Sequence, residues 1–259
     1  MNGIRCRWMA LLLCVLTGPA VADSGNPLPA TDDQWRFTIA FPMIWAPDIE
    51  GKIRGADPVD FRIGFNQIID RLSFGFMGEV YANRGPWGFA FRTMYMNVED
   101  ESSRSGLFET RVRTDMVMGV NDLLASYEVH DNIRLTGGLR HVFAKLELDL
   151  FSTIGDREVL NETIVVTDDN QLDYVVGTNL SHWFNERWGV MLNADIALAG
   201  DNDRNQSAEF RALYRFGRLN NLWFGYRYLG IGNDVDDGDG SYSVDMTQHG
   251  PTIGWAFTF

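Results

Sequence analysis

The sequence predicts an all-β fold, a closed antiparallel transmembrane β-barrel for which ten strands is the best count. Beyond the N-terminus, apolar and polar residues alternate over stretches of about ten residues, as they do in strands that cross a membrane. Gly, Asn and Asp residues separate these stretches in the manner of turns. No later apolar run reaches the roughly 18 residues of a membrane-spanning helix, and a closed barrel is the other structure that lipid permits.

The N-terminus is typical of a secretory signal peptide. Arg5 and Arg7 form a basic start, residues 8–16 are apolar, and residues 20–22 offer the small side chains that signal peptidase requires. The apolar run is too short to cross a bilayer as a helix. We therefore divide the chain into a signal peptide (residues 1–22), a periplasmic N-terminal segment (residues 23–34) and the barrel (residues 35–259).

The two cysteines, Cys6 and Cys14, both lie inside the predicted signal peptide. The mature chain then has no thiol, which excludes disulfides, thiolate nucleophiles and cysteine metal sites. A lipoprotein modified at Cys14 is the alternative, but Leu13 occupies the preceding position, where a small residue is needed. The net charge of −13 makes nucleic acid a poor partner.

The strand predictions come from the alternation and from the turn residues between stretches. They cover residues 35–46, 72–83 and 86–98, a fourth strand ending at Val129, a fifth starting at Ile133, a sixth ending at Phe184, residues 188–199, 206–216 and 222–231, and a tenth strand that ends the chain. In each strand the apolar positions share one face, which we expect to contact lipid.

Two places depart from this regular pattern. The apolar parity switches between Val120 and Leu123, so we expect a β-bulge at Asn121 and Asp122. Residues 59–65 alternate like a further strand. Twelve spanning strands is therefore an alternative count, and eight is another if neighbouring strands merge.

The lengths of the connections predict the orientation in the membrane. Short turns are predicted at Arg84, Asp131, Asn185 and Gly217, and longer, mostly acidic connections at residues 47–71, 99–110, 151–164, 200–204 and 232–241. Bacterial barrels have short periplasmic turns and long outer loops. We therefore expect Asn185 and Arg218 to face the periplasm and residues 234–239 to face the outside of the cell.

Tryptophans near the predicted periplasmic turns indicate an aromatic girdle at that membrane interface. They are Trp35, Trp87, Trp183, Trp188 and Trp223. The alternative is that they are core residues of a soluble β-sandwich, which would not require this registration with the turns.

Charged residues occupy the face of the strands opposite to the apolar one. They are Glu79, Arg92, Arg140, Asp173, Asp195, Glu209, Arg211 and Arg227. An arginine facing lipid at mid-bilayer costs about 2–4 kcal/mol, so this face is expected to line the lumen. Buried charges require partners, and we expect Arg92, Arg140 and Arg227 to pair with Glu79, Asp173, Asp195 or Glu209. A space-filling ladder, the lining of a pore and a catalytic site are the alternative roles.

The last residues match the terminal strand that the barrel-assembly machinery recognises. The pattern consists of Thr252, Gly254, Phe257 and Phe259 at alternating or near-alternating positions. The expected partners are this machinery and periplasmic chaperones during biogenesis, and then the lipid and lipopolysaccharide of the outer membrane.

Several segments resemble a family of small proteobacterial outer-membrane β-barrel proteins, with the general architecture of OmpA- and OmpW-like small barrels. The matching stretches are residues 42–46, 65–77, 85–88, 137–140 and 225–229, together with Gly250 and Pro251. The resemblance implies the fold and a location in the bacterial outer membrane, and it implies no activity.

Enzymatic chemistry finds little support in the sequence. Asp168, Asp169 and His249 are candidates for an omptin-like protease site, but the surrounding sequence does not match. Ser181 and His182 are candidates for a lipid A deacylase, but adjacent strand residues point to opposite faces. The histidines His130, His141, His182 and His249 are too scattered to indicate a metal site. We expect no enzyme and no cofactor.

An acidic stretch near the C-terminus is a weak candidate for calcium binding, because calcium prefers clustered carboxylates. Its ligands would be Asp234, Asp236, Asp237 and Asp239, but their spacing is not that of an EF-hand and also suits a plain turn. The leading function is thus a non-enzymatic barrel with a structural or surface-interaction role. A narrow pore for small solutes is the second, and a protease or lipid A-modifying enzyme the third.

We predict that the mature protein begins at Asp23, because Ala20 and Ala22 form the cleavage motif. The intact mass of the protein extracted from membranes measures this directly. A lipid-modified chain beginning at Cys14 would contradict the prediction.

Overall fold

The computed structural model describes residues 34–54, 59–104, 109–154, 157–201, 204–217, 219–236 and 241–259. The predicted signal peptide lies outside these residues, as does all but the end of the N-terminal segment. The elements are β1 (Arg36–Trp45), β2 (Asp48–Arg54), β3 (Val59–Ile63), α1 (Phe65–Arg71), β4 (Leu72–Arg84), β5 (Trp87–Arg104), β6 (Glu109–His130), β7 (Ile133–Ile154), β8 (Arg157–Trp183), β9 (Trp188–Gly200), β10 (Gln206–Arg215), β11 (Asn220–Asp236) and β12 (Ser241–Thr258).

A ring of ten antiparallel strands closes the barrel, as the sequence predicts. The ring runs from β1 through β4 and on in chain order to β12, and β12 pairs with β1 to complete it. The other two strands lie outside the ring. β2 continues along the outer half of β12, where β1 has ended, and β3 folds back against β2. Residues 59–63 are therefore part of an outer hairpin and do not span the membrane.

The outer hairpin is joined to the helix by one carboxylate. Arg62 donates a hydrogen bond to Asp48 Oδ2 at 2.8 Å, and Asp48 Oδ1 accepts the backbone N–H of Phe65, the first residue of α1, at 3.1 Å. The hydrogen bond from Arg62 holds the pKa of the Asp48 carboxyl below its ordinary value. Within the described ranges, no helix has the length and the apolar character needed to cross a membrane.

The predicted strand boundaries agree with the structure at the ends with short turns and differ at the other end. β4 and β9 depart by one residue from the predicted ranges 72–83 and 188–199. The connections predicted at residues 99–110 and 151–164 are instead mostly strand. Alternating residues continue there, with Val, Ile and Thr frequent at the start of β8, and these residues favour strands whether or not lipid surrounds them.

The predicted bulge at Asn121 and Asp122 is wrong. The register of β6 runs without a shift past both residues on both of its neighbours, and its one shift lies near the turn, between Glu128 and His130. Val120 and Asp122 both point into the barrel, 2% and 1% exposed, while Leu123 points out and is 59% exposed. The parity switch therefore marks a change in what lines the lumen, from apolar to charged.

The outer surface of the ring is apolar and aromatic, whereas the charged side chains lie inside. Three predicted girdle residues, Trp35, Trp87 and Trp188, are exposed on this surface. The girdle prediction is wrong for Trp223, which is buried in the lumen, and for Trp183, which packs against the same inner cluster. In β11, Phe224 and Tyr226 point outward. Adjacent residues of a strand point to opposite faces, so Trp223 points into the lumen.

We predict that β2 faces the outside of the cell and the turn before β9 faces the periplasm. In whole cells, an impermeant thiol reagent should label Lys52→Cys and spare Asn185→Cys, because both side chains are exposed but lie at opposite ends of the barrel. The predicted mature chain has no cysteine of its own to add background. Labelling of Asn185→Cys alone would contradict this prediction and would indicate the opposite orientation in the membrane.

Candidate functional site

A row of alternating charges crosses the inside of five neighbouring strands, β4 to β8. Its members are directly opposite one another in the backbone register: Glu79, Arg92, Asp122, Arg140 and Asp173. Side chains directly opposite in an antiparallel pair have Cβ atoms about 4.5–5.5 Å apart, so each charge lies beside an opposite one. The register of the sheet itself therefore aligns the row.

Arg140 is the most enclosed arginine of this row, with no exposed surface. Its Nε and Nη2 donate to the two carboxylate oxygens of Asp122 at 2.7 and 3.3 Å, and its Nη1 lies 2.8 Å from Asp195 Oδ1. Nη1 also donates to Asn205 at 3.0 Å. Arg92 Nη2 contacts the same two acids, at 2.7 Å from Asp122 and 3.5 Å from Asp195. Two arginines and two aspartates thus form one closed set.

A second set crosses the lumen between strands that are not neighbours. Arg211 of β10 donates to both oxygens of Glu79 of β4, at 2.9 and 2.6 Å, and to Glu209 at 2.7 Å. Glu79 also accepts the hydroxyl of Tyr81 at 2.8 Å. The guanidinium of Arg211 lies 4.7 Å from the centre of the buried Trp223 ring, a distance typical of a cation–π contact.

The remaining predicted residues lie beside these two sets. Arg227 is opposite Glu209 in the register and lies 5.1 Å from the centre of the Trp45 ring. Asp173 accepts a hydrogen bond from Asn205 at 2.8 Å. The structure thus places all eight predicted charges inside the barrel. We call these eight residues and Asp122 the charged layer.

Asp122 is the central acid that the sequence reading missed. The sequence pattern places it in a bulge, because the apolar parity switches between Val120 and Leu123. Its period-two spacing from Met118 and Val120 is the available signal, since all three share one face of β6.

On the periplasmic side of the charged layer the lumen contains a cavity of about 110 Å³. Its lining includes Asn83, Asn193, Leu213, Asn221 and Trp223. Several buried polar atoms here, among them Asn83 Nδ2, Asn221 Oδ1 and Trp223 Nε1, have no hydrogen-bond partner in the protein. Buried polar atoms normally find partners, so this cavity suits ordered water or a small polar molecule.

On the outer side of the charged layer the lumen is apolar. The cluster of buried side chains here, which we call the outer chamber, consists of Ile49, Ile68, Met94, Met96, Met118, Val120, Val142, Leu229 and Ile231. The lumen thus has three levels: a periplasmic cavity, the charged layer and the apolar outer chamber. Of these three levels, only the charged layer is evident from the alternation of residues in the sequence.

The C-terminal motif divides between the two faces of β12. Phe257 and Phe259 point outward, whereas Thr252 is buried inside. Gly254 lies against the Trp223 ring, and a Cβ at this position would collide with the ring carbons. This glycine is therefore required by packing in the lumen, in addition to its place in the predicted assembly pattern.

Two of the residues considered for calcium binding lie in the described part of the chain. Asp234 and Asp236 lie in the outer part of β11, and Asp237 and Asp239 lie outside the described residues. No group of three or more His, Cys, Asp or Glu side chains in the described part of the chain is placed to hold a metal ion. His249 hydrogen-bonds with the outward-facing Tyr226 at 2.8 Å.

A ring of strands that is apolar outside and charged inside is the reverse of a soluble β-protein. A structure with this polarity satisfies its backbone hydrogen bonds in lipid and exposes apolar side chains to the acyl chains. The chain is a transmembrane β-barrel of the bacterial outer membrane, with a buried network of arginines and acids in its lumen.

No family model and no curated protein matches the sequence. Solved outer-membrane barrels are similar in architecture. The translocator domain of the autotransporter NalP from Neisseria meningitidis matches at 12% identity and a TM-score of 0.44, over 88% of this chain and 90% of that one. The protease OmpT from Escherichia coli matches at 10% identity and 0.44, over 88% and 98%. Ail of Yersinia pestis matches at 11% identity and 0.39, over 87% and 99%. Likenesses this weak bear on the general barrel architecture and on no activity.

We predict that Arg140→Ala destabilises the barrel by about 3–5 kcal/mol, because it leaves Asp122 and Asp195 buried with one fewer partner. Urea unfolding of the protein refolded into lipid vesicles, followed by tryptophan fluorescence, measures the loss. Arg187→Ala, at an exposed turn, is the matched control and should change the free energy of unfolding by less than about 0.5 kcal/mol. Equal stability of the two variants would contradict a stabilising role for the charged layer.

Proposed function

We propose that the protein acts as a closed, non-enzymatic barrel with a structural or surface-interaction role in the outer membrane. The observation that supports this is the charged layer, in which Arg140, Asp122 and Asp173 are each at most 1% exposed. Side chains this enclosed leave no water column between them. The layer therefore acts as a partition across the lumen.

The strands support the same proposal on the outer side. β5 to β8 extend well past the residues that face lipid and present paired hairpins there. Paired strands hold a surface in a defined shape, as an interaction role requires.

A narrow pore for small solutes is the second candidate, and the periplasmic cavity favours it. This cavity reaches the charged layer from below, with Arg92, Arg211 and Asp195 in its lining. Only the side chains of the layer then separate it from the outer half of the lumen. A solute path would require these ion pairs to part.

We predict that the refolded protein shows no discrete current steps in planar lipid bilayers. Arg140→Ala should introduce small, brief steps, because it removes the largest fully buried side chain of the partition. Arg187→Ala, the exposed control, should remain silent like the wild type. Steady porin-like conductance of the wild-type protein would reject the closed-barrel proposal and favour the pore.

A further inference from the structure

The periplasmic cavity is bordered by buried polar atoms that have no hydrogen-bond partner within the part of the chain that the structure describes. Asn83 Nδ2, Asn221 Oδ1 and Trp223 Nε1 are examples, on side chains that are 6%, 8% and 2% exposed. All three residues line the cavity. A buried donor or acceptor without a partner costs free energy, so a molecule that supplies the missing partners is stabilised there.

Most of these atoms are hydrogen-bond donors. The orientation of the Asn83 amide follows from its other partner, because Oδ1 accepts a hydrogen bond from Arg134 at 3.0 Å and Nδ2 is left to donate. The indole N–H of Trp223 can only donate, whereas Asn221 Oδ1 is an acceptor. The cavity therefore suits a ligand whose main hydrogen-bonding group is an acceptor.

The charges that border the cavity are already neutralised. Arg92 and Arg211 line it, and each contacts two carboxylates of the charged layer. Their Nε–H groups have no acceptor among the described residues and add two further donors. The charged layer as a whole contains one more acid than arginine, so it does not attract a further anion. A cation is disfavoured too, because it offers no acceptor to the donors. The site thus favours a neutral ligand.

The volume and the walls of the cavity define the size of the ligand. The cavity measures about 110 Å³. A protein cavity of about 150 Å³ holds one benzene molecule, so a molecule of about four non-hydrogen atoms fits here. Between the polar atoms the lining contains apolar side chains, among them Leu124, Met191 and Leu213. Apolar walls with a few placed polar groups are typical of sites that bind small molecules.

We propose that the periplasmic cavity is a binding site for a small neutral carbonyl compound of the size of a short primary amide. The carbonyl oxygen accepts hydrogen bonds from the donors of the lining, and an amide NH₂ group matches the acceptor Asn221 Oδ1. The charged layer closes the cavity toward the outside of the cell, so the ligand exchanges with the periplasm. The proposal is independent of the surface-interaction role and of any passage of solutes.

Three probes of the same shape and different charge test the proposal: acetamide is neutral, acetate is an anion and acetamidinium is a cation. The mature protein in lipid nanodiscs, labelled with ¹³C at the methionine methyl groups, is titrated with each probe and followed by NMR. Met191 lines the cavity, whereas Met43 faces lipid and is 63% exposed. Acetamide should shift the Met191 signal saturably, with a Kd on the order of 1–10 mM for so small a ligand, and leave Met43 unchanged.

The two ions are the controls for charge and should bind at least about tenfold more weakly than acetamide. Tighter binding of either ion would overturn the assignment of a neutral ligand. Absence of saturation at Met191 with all three probes would reject the site, and so would equal shifts at Met191 and Met43.

The acceptor of the site is tested by a pair of neighbouring variants. Asn221→Leu keeps the approximate size of the side chain and removes Oδ1, so the affinity for acetamide should fall about tenfold. Asn220→Leu makes the same change on the outer face of β11, where Asn220 accepts a hydrogen bond from Trp255 at 3.1 Å. This control should leave the affinity within about twofold of wild type. Equal affinities of the two variants would contradict binding through the lining of the cavity.

Occupation of the cavity is tested by filling it. Ala90 lines the cavity, and Ala90→Leu should abolish the saturable shift at Met191, because the added side chain takes the place of the ligand. Ala125→Leu adds the same atoms at an exposed position of the neighbouring strand and should retain binding. In both variants an unchanged Met43 signal reports a folded barrel. Undiminished binding of acetamide by a folded Ala90→Leu protein would overturn the proposal.

Discussion

A charged side chain on the inner face of a narrow barrel must find its counter-charge inside, and the architecture of this protein follows from that constraint. Arg140 has no exposed surface and meets Asp122 and Asp195. Removing one member of such a set leaves another charge buried without compensation, which costs far more than a surface ion pair contributes. The arginines and acids are therefore stable only as a complete group, and every strand that contributes one is fixed in register.

The charged layer also joins strands that the backbone ladder cannot connect. Arg211 and Glu79 are 132 positions apart in the chain and lie on strands that are not neighbours. A slip of one residue in any strand that contributes to the charged layer would turn its inward charge toward lipid, at a cost of about 2–4 kcal/mol for an arginine. The network therefore selects one register among those that the alternating apolar pattern alone would allow.

The sequence predicted the parts of the fold that depend on a single strand and missed those that depend on the whole lumen. The limits of β4 and β9 were predicted almost to the residue, because period two and a turn define them locally. Parity identifies two faces of a strand but not what each face meets. In β6 the inward face changes from Val120 to Asp122, and this change resembles a bulge. The prediction that Trp223 belongs to the outer girdle is wrong, because a position near a turn does not determine which face of the strand carries the ring.

The ladder between β1 and β4 and the charged layer meet at the same residue. Glu79 forms the last register pair with β1 and also accepts two hydrogen bonds from Arg211. The β1–β4 ladder thus ends at a residue that is fixed by the charged layer. Beyond it, Pro42 has no N–H for the next hydrogen bond, and α1 is held by the burial of Ile68 and by the hydrogen bond from the Phe65 N–H to Asp48. The charged layer therefore depends on complete pairing, whereas in the apolar half of the lumen the exchange of one apolar side chain for another leaves no charge or hydrogen bond unsatisfied.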